Sequence, residues 1–266
     1  MFELALLGLI VGLLSGLLGI GGGVVTVPAL KHILEYQMAI GSDISMHIAV
    51  ANSLATVIFT SSMTALIYYR RNLLNWAIFI QFCPGIAIGV VFGTIFASHL
   101  HGVFYARLFA VYLTYISLKM LFLKPEQQNT SQASEFKFKP NVNFYLISVF
   151  TGVLSALFGI GGGSVMTPFF LNMGLDMLTA IGTSTLICIP IAIFGSISYG
   201  LHYLNMQIPL AHTTGYLYWP AIGTISIASI ITSPLGANLA KKIKANYLKK
   251  IFACTLLVIA IKMFFN

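Results

Sequence analysis

The chain has 266 residues, of which 58% are hydrophobic and only 8% are charged, and its mean hydropathy is +0.92. Soluble domains carry about 25% charged residues, so this composition excludes a soluble globular protein and indicates an integral membrane protein. The net charge of +8 comes from 14 Lys and Arg against 6 Asp and Glu. Because the basic residues lie in short loops between apolar segments, they set membrane orientation and do not indicate nucleic-acid binding.

Apolar segments fill nearly the whole chain, and many have about the 17–25 residues needed to cross a bilayer. They lie at about 3–19, 24–34, 47–69, 75–97 and 103–123, and again at about 143–160, 164–173, 177–200, 215–235 and 248–265. The polar stretch between the two sets has the composition of a solvated linker. We therefore expect a first repeat at 1–123, a cytoplasmic linker at 124–142 and a second repeat at 143–266.

One motif occurs twice, as GLLSGLLGIGGGVVTVP from Gly12 to Pro28 and as GVLSALFGIGGGSVMTP from Gly152 to Pro168. Eleven of the seventeen positions are identical, including all three glycines of the run. Each glycine costs a helix about 1 kcal/mol relative to alanine. Three of them at the same place in both halves indicate a helix break that the protein needs.

The repeat continues beyond the glycines. Asn52-Ser53 aligns with Thr183-Ser184, and the stretch 93–122 aligns with 236–265. Two fused copies of one unit therefore account for the whole chain.

The positive charges favour inverted copies. If residues 3–34 crossed the membrane once as a broken helix, the 14 Lys and Arg would divide seven to seven between the two sides. If each glycine-containing segment turns back on itself, each half has three crossings, and the division becomes eleven to three. The second arrangement satisfies the positive-inside rule, with both termini outside the cytoplasm. Against it, the arm 3–19 is about 25 Å long, nearly a full span.

A backbone break at membrane depth is tolerated where it is buried in protein or lines a polar cavity. The N–H groups at the start of the following half-helix, together with its dipole, favour an anion without any basic side chain. Close packing of small residues is the alternative role for the glycines. The expected substrate-binding residues are Gly21, Gly22, Gly23, Thr26, Asn52, Ser53, Gly161, Gly162, Gly163, Ser164, Thr183 and Ser184. Pro28 and Pro168 are the expected hinges. The hydroxyls of Ser15, Ser155 and Thr185 could complete the cavity.

The apolar segments contain no pair of carboxylates, no HExxH and no GxSxG. We therefore expect no catalytic site, no metal site and no cofactor. Asp43 and Asp176 precede apolar segments and are expected to cap helices.

The doubled glycine motif resembles the TauE/SafE family, the sulfite-exporter-like permeases, and the similarity covers the full length. The resemblance implies an all-α polytopic protein of the bacterial or archaeal inner membrane that carries small sulfur-containing anions such as sulfite or organosulfonates. It also implies that Gly19 to Gly23 with Pro28, and Gly159 to Gly163 with Pro168, are the signature loops. The second copy has Ala156 where the first has Gly16, and Ser164 where it has Val24, so the half-sites are not equivalent.

We expect a secondary transporter that works by alternating access, with two inverted repeats around the glycine breaks. A passive anion channel and a carrier of non-sulfur carboxylates are the alternatives. Coupling to protons, through His47 or Asp43, and coupling to sodium remain open, as does the choice between monomer and homodimer.

Overall fold

The computed structural model describes residues 2–19, 21–122, 142–202, 210–240, 253, 257–258 and 260–264. The first half contains the helices α1 (Phe2–Leu18), α2 (Gly23–Tyr36), α3 (Ser42–Tyr69), α4 (Trp76–Ser98) and α5 (Gly102–Phe122). The second half contains α6 (Val142–Phe158), α7 (Gly163–Asn172), α8 (Met177–His202), the two-residue strands β1 (Thr213–Thr214) and β2 (Leu217–Tyr218), and α9 (Trp219–Leu239). The predicted linker lies outside the described residues except for Val142, which begins α6.

The fold is that of an all-α polytopic membrane protein, as the composition predicts. Among the described residues, α3, α4, α9 and the part of α8 from Met177 to Leu201 are long and apolar enough to span a bilayer. Their outer surfaces carry large apolar side chains. On α9, for example, Ile227, Ile231 and Leu235 follow at intervals of four residues and are each more than half exposed. Such a stripe is suited to lipid and not to water.

The two aspartates predicted as helix caps have different roles. Asp176 precedes α8, and its carboxylate accepts the N–H of Thr179 at 3.0 Å, which confirms a helix cap. The prediction for Asp43 is wrong, because α3 begins at Ser42 with Gly41 as its N-cap residue. Asp43 lies in the first turn, where its carboxylate accepts the N–H of Gly102 at 3.2 Å. It therefore fixes the start of α5 against the start of α3.

Each glycine-containing segment forms an antiparallel helical hairpin. In the first, a Cβ on Gly22 would overlap Val11 of α1, and the Gln37 amide after α2 donates to the Glu3 carboxylate at the start of α1. In the second, Gly162 lies against Ser155 of α6. Further along α7, the ring of Phe169 is 6.1 Å from that of Phe144, near the start of α6. In both, the chain returns toward the end from which it came.

The long helices α3 and α8 pack against each other at the centre, with the hairpins on either side. The most extensive other packing is of α1 on α9 and of α6 on α4. In the repeat alignment α1 matches α6 and α9 matches α4, so each hairpin packs on a helix of the other half. The two halves are thus interleaved around the α3–α8 pair.

Two ends of the molecule can be distinguished along α3. At its start, Asp43 binds Gly102, and we call this end the Asp43 face. Past its last residue, Arg71 donates to the carbonyl oxygen of Ala237 at 3.0 Å, and we call this end the Arg71 face. The loop before α4 and the start of α8 lie at the Arg71 face, where the N–H of Asn75 donates to Thr183 at 3.1 Å.

Candidate functional site

The two glycine breaks have the same backbone conformation. Gly19, Gly21 and Gly22 have φ of 67°, 73° and 80°. In the second copy Gly159, Gly161 and Gly162 have φ of 65°, 70° and 84°. This left-handed region is accessible to glycine and strained for other residues, which explains the repeated GIGGG sequence.

The breaks meet at the middle of the molecule. A Cβ on Gly23 would overlap the carbonyl oxygen of Gly159 and would lie 2.9 Å from Cα of Ile160, so the two backbones are in direct contact. Val57, near the middle of α3, touches both breaks: its Cγ1 is 3.0 Å from the Cβ position of Gly21 and 2.9 Å from that of Gly161.

Two equivalent serines each bind the break of the opposite half. Ser53 of α3 donates to the carbonyl oxygen of Gly159 at 2.7 Å, and Ser184 of α8 donates to that of Gly19 at 3.5 Å. Gly19 and Gly159 occupy the same motif position, so each half donates an equivalent hydrogen bond to the break of the other half. Ser184 also shares a hydrogen bond of 2.7 Å with Thr167 of α7.

The half-helices that follow the breaks start without side-chain caps among the described residues. Gly22 and Gly162 are the N-cap residues of α2 and α7, and neither offers a capping side chain. The N–H groups of the first turn therefore point out of the helix, where the dipole is positive. The preceding helices α1 and α6 carry the hydroxyls of Ser15 and Ser155, which are 0% and 2% exposed and have no hydrogen-bond partner within the described residues.

These orphan hydroxyls occupy equivalent motif positions. Ser155 Oγ lies 3.0 Å from the Cβ position of Gly162, next to the start of α7. Leaving a buried donor unsatisfied costs about 1–3 kcal/mol. Ser15 holds the matching position in the first copy of the motif. The two uncapped helix starts and these hydroxyls offer hydrogen-bond donors that can stabilise an anion.

Asn52 and Thr183 support loops at opposite ends of the molecule. The Asn52 amide donates to the carbonyl oxygen of Tyr216 at 2.8 Å and accepts the N–H of Tyr218 at 2.8 Å. Thr183 accepts the N–H of Asn75 at 3.1 Å. In the repeat alignment Asn75 matches Tyr218. Asn52 and Thr183 therefore each fix the backbone immediately before a long helix.

The remaining predicted residues lie around the breaks. Thr26 bonds back to the carbonyl oxygen of Gly22 at 3.1 Å within α2. Ser164 faces away toward α5, where its hydroxyl is 3.2 Å from that of Tyr112. Thr185 bonds back within α8 to Ile181 at 2.7 Å. Pro28 and Pro168 lie inside α2 and α7, where their missing N–H weakens the helix one turn after its start.

Three residues of the centre were not among the predicted site residues. Val57 and Cys188 are equivalent in the repeat, and Cys188 Sγ lies 3.5 Å from the Cβ position of Gly161. Ser61, one turn after Val57, has its hydroxyl 3.2 Å from the Cβ position of Gly21. All three lie within two turns of the aligned pairs Asn52-Ser53 on α3 and Thr183-Ser184 on α8. Extending that sequence alignment along the two helices would have identified them.

In the part of the chain that the structure describes, charged side chains lie outside this centre. Lys31 of α2 pairs with Glu35 at 2.8 Å, and Glu35 also accepts the hydroxyl of Ser45 at 2.7 Å. Within the described residues, no group of three or more His, Cys, Asp or Glu is placed to hold a metal ion. The centre thus offers N–H groups, hydroxyls and one thiol as polar groups.

Comparison with known proteins gives a consistent picture. The family model described as "Sulfite exporter TauE/SafE" matches residues 4–263. The chain belongs to the TauE/SafE family. It is 31% identical over 260 residues to a probable membrane transporter protein of Haemophilus influenzae, covering 97% of this chain and 96% of the relative.

Two further relatives of the TauE/SafE chain are similar in length. The probable membrane transporter protein YunE of Bacillus subtilis is 25% identical, with 99% and 97% of the two chains covered. A probable membrane transporter protein of Methanocaldococcus jannaschii is 30% identical, with 98% and 94% covered. The protein is therefore a multi-pass membrane protein of a transporter family, which acts on small substrates within a lipid bilayer.

Proposed function

We propose that this protein is a secondary transporter, a permease or exporter, for small sulfur-containing anions such as sulfite or organosulfonates. The family description supports the substrate class, and the relatives support transport. The observation that carries the proposal is the meeting of two uncapped helix starts. Each is preceded in its motif by a buried hydroxyl without a partner among the described residues.

The proposed substrate site suits a sulfur oxyanion because such an anion accepts several hydrogen bonds at once. The N–H groups of Gly21, Gly22 and Gly23, and of Gly161, Gly162 and Gly163, supply donors from two directions. Ser15 and Ser155 add hydroxyls whose bonding capacity is unused among the described residues. Ser53 and Ser184 hold the breaks together and can turn toward an anion, whereas Asn52 and Thr183 fix the surrounding loops.

We further propose that the halves are inverted repeats that alternate access to the centre. The antiparallel hairpins support this, because each returns toward its starting end, as inverted halves with three crossings each would require. Movement of one half against the other would break the paired contacts of Ser53 and Ser184, with Pro28 and Pro168 as hinges. In this proposal the Arg71 face and the linker lie in the cytoplasm of a bacterial or archaeal cell, with both termini outside, because that arrangement satisfies the positive-inside rule.

Counterflow in proteoliposomes tests the proposed function. Radiolabelled sulfite and sulfoacetate are supplied outside vesicles preloaded with the unlabelled anion, with acetate and succinate as competitors. A carrier of sulfur anions gives saturable counterflow that unlabelled sulfur oxyanions inhibit and carboxylates do not. Inhibition by carboxylates alone would overturn the substrate class, and non-saturable flux without counterflow would indicate a channel. Imposed pH and sodium gradients identify the coupling ion.

A further inference from the structure

A band of hydroxyl side chains runs from the glycine breaks toward the Arg71 face, between α3 and α9. We call it the hydroxyl seam, and it consists of Thr60, Ser61 and Thr64 of α3 and Ser226, Ser229 and Ser233 of α9. All six are buried, with at most 4% exposed. The hydroxyls of Thr60 and Ser229 lie 3.0 Å apart and join the two helices.

The repeat supplies an internal comparison for this seam. The matching positions on α8 are Ile191, Ala192 and Gly195, and those on α4 are Cys83, Ile86 and Val90. These positions lie between the breaks and the Asp43 face, and nearer that face the hydroxyls of Thr94 and Ser198 join α4 and α8 at 2.6 Å. One half of the molecule thus has hydroxyls at all six positions, where the other has none.

The glycine contacts of α9 and α4 are alike in the two halves. In the seam half, Gly12 of α1 lies directly on the backbone of α9 at Ser229. In the other half, Gly152 of α6 lies just as close to α4, since a Cβ on Gly152 would lie 3.0 Å from Cα of Gly89. The halves therefore share the glycine packing of α1 on α9 and of α6 on α4, and they differ in the hydroxyls at the six seam positions.

Two hydroxyls of the seam have no hydrogen-bond partner within the described residues, Ser61 and Ser226. The others are satisfied within their own helix, as Thr64 is by the carbonyl oxygen of Thr60 at 2.9 Å. Ser61 is fully buried and faces the first break, 3.2 Å from the Cβ position of Gly21. It therefore connects the seam to the proposed anion site, where its hydroxyl lies beside the thiol of Cys188 and can turn to a ligand.

Arg71 lies at the outer end of the seam. Its guanidinium donates to the carbonyl oxygen of Ala237 at 3.0 Å and to the Asn238 side chain at 2.6 Å, at the negative end of the α9 dipole. Its Cζ is 5.9 Å from the ring centre of Tyr68. Arg71 thus ties the ends of α3 and α9 together while holding a positive charge where an anion would arrive.

We propose that the hydroxyl seam is the route of the anion between the glycine breaks and the Arg71 face, and that Arg71 is the residue that first binds it there. This inference rests on the proposed function. When α3 and α9 separate, the Arg71 guanidinium releases its contacts with α9 and binds the anion. Along the seam, the hydroxyls donate hydrogen bonds to the anion in place of its hydration water. The positions toward the Asp43 face that match the seam carry no hydroxyl, and the Thr94–Ser198 pair lies further from the breaks, so access to the centre is asymmetric.

Cysteine accessibility tests the route without requiring transport. Thr60→Cys and its repeat equivalent Ile191→Cys are placed in protein whose Cys83, Cys188 and Cys254 are alanine, and Arg70→Cys marks the exposed Arg71 face. A membrane-impermeant sulfonated maleimide is applied to one side of oriented vesicles. Because a minor open state gives access, Thr60→Cys should react from the Arg71 face at least about tenfold faster than Ile191→Cys. Ser229→Cys and Ile86→Cys form a second pair in case a first variant does not fold.

Equal rates within both pairs, or reaction of Thr60→Cys from the Asp43 face alone, would overturn the route. The role of Arg71 is tested by comparing anionic and cationic maleimides of similar size on Thr60→Cys. Arg71→Gln should lower the ratio of anionic to cationic rates about tenfold, since a charged cleft raises the arrival rate of opposite charges. Arg70→Gln, one residue away and exposed, is the matched control. An equal fall in both variants would contradict the role of Arg71.

The two proposals fail separately in these experiments. Fast reaction of Thr60→Cys without sulfoacetate counterflow would support the proposed route and contradict the proposed substrate. Counterflow with equal reactivity of Thr60→Cys and Ile191→Cys would support the proposed transport function and contradict the proposed route.

Discussion

Gly23→Ala inserts one methyl group between the two glycine breaks. Gly23 is helical and has no positive φ, so alanine is compatible with its backbone conformation. The new Cβ would overlap the carbonyl oxygen of Gly159 and lie 2.9 Å from Cα of Ile160, although Cβ atoms essentially never lie within 3.0 Å of such neighbours. Because the obstructing atoms are backbone, the two breaks must move apart.

The expected cost follows from two opposing effects. Overpacking of a close contact destabilises by about 1–3 kcal/mol, while Gly→Ala inside a helix recovers up to about 1 kcal/mol. We expect a lower melting temperature in detergent and, because the anion donors of the two breaks separate, at least about tenfold slower counterflow, equivalent to about 1.4 kcal/mol.

Gly223→Ala is the matched control for this variant. Gly223 is also inside a helix, α9, but a Cβ there meets no heavy atom within 4 Å. This control should melt at or above the wild-type temperature with unchanged transport. If Gly23→Ala behaved like Gly223→Ala in both assays, the contact between the breaks would not be needed for transport, and the reasoning would be refuted.

Three further comparisons test individual contacts by thermal unfolding. Ser53→Ala removes the 2.7 Å bond to Gly159 and should destabilise by about 0.5–1.5 kcal/mol; an unchanged melting temperature would show that this bond contributes nothing. Asn52→Ala loses the hydrogen bonds to the carbonyl oxygen of Tyr216 and from the N–H of Tyr218 and should destabilise more than Thr183→Ala, which loses one bond to the loop before α4; the opposite order would contradict the loop-support role. Gly22→Ala, at φ 80° and against Val11, should destabilise more than Gly41→Ala, which has open space, and equal effects would argue against a required left-handed residue.

Much of the architecture could be predicted from the sequence because the repeat is explicit. The glycine runs identify the breaks, since three adjacent glycines within an apolar segment strongly disfavour a continuous helix. The division of positive charges favours segments that turn back, and the contacts of Gln37 with Glu3 and of Phe169 with Phe144 show antiparallel helices. The position of Asp43 could not be predicted, because its partner Gly102 is 59 residues away.

The detailed roles of the polar residues were not predictable for a similar reason. Asn52 and Ser53 are adjacent in sequence and both polar, but one faces a loop and the other faces the opposite break. Serine and threonine in membrane helices commonly bond to their own preceding turn, so a hydroxyl seam has no distinct sequence signature. It becomes visible when α3 and α8 are aligned and their neighbours α9 and α4 are known.

The most direct test of the central claim uses Ser15→Ala together with Ser155→Ala. Neither hydroxyl has a hydrogen-bond partner among the described residues, so their removal should leave the melting temperature of the unliganded protein unchanged or raise it. Each hydroxyl should nevertheless bind the anion, and a hydrogen bond to a charged group is worth about 1.5–3 kcal/mol. The account predicts that the half-saturating sulfoacetate concentration in counterflow rises at least about tenfold at unchanged stability. Unchanged half-saturation in the double variant, with normal insertion, would contradict an anion site at the two helix breaks.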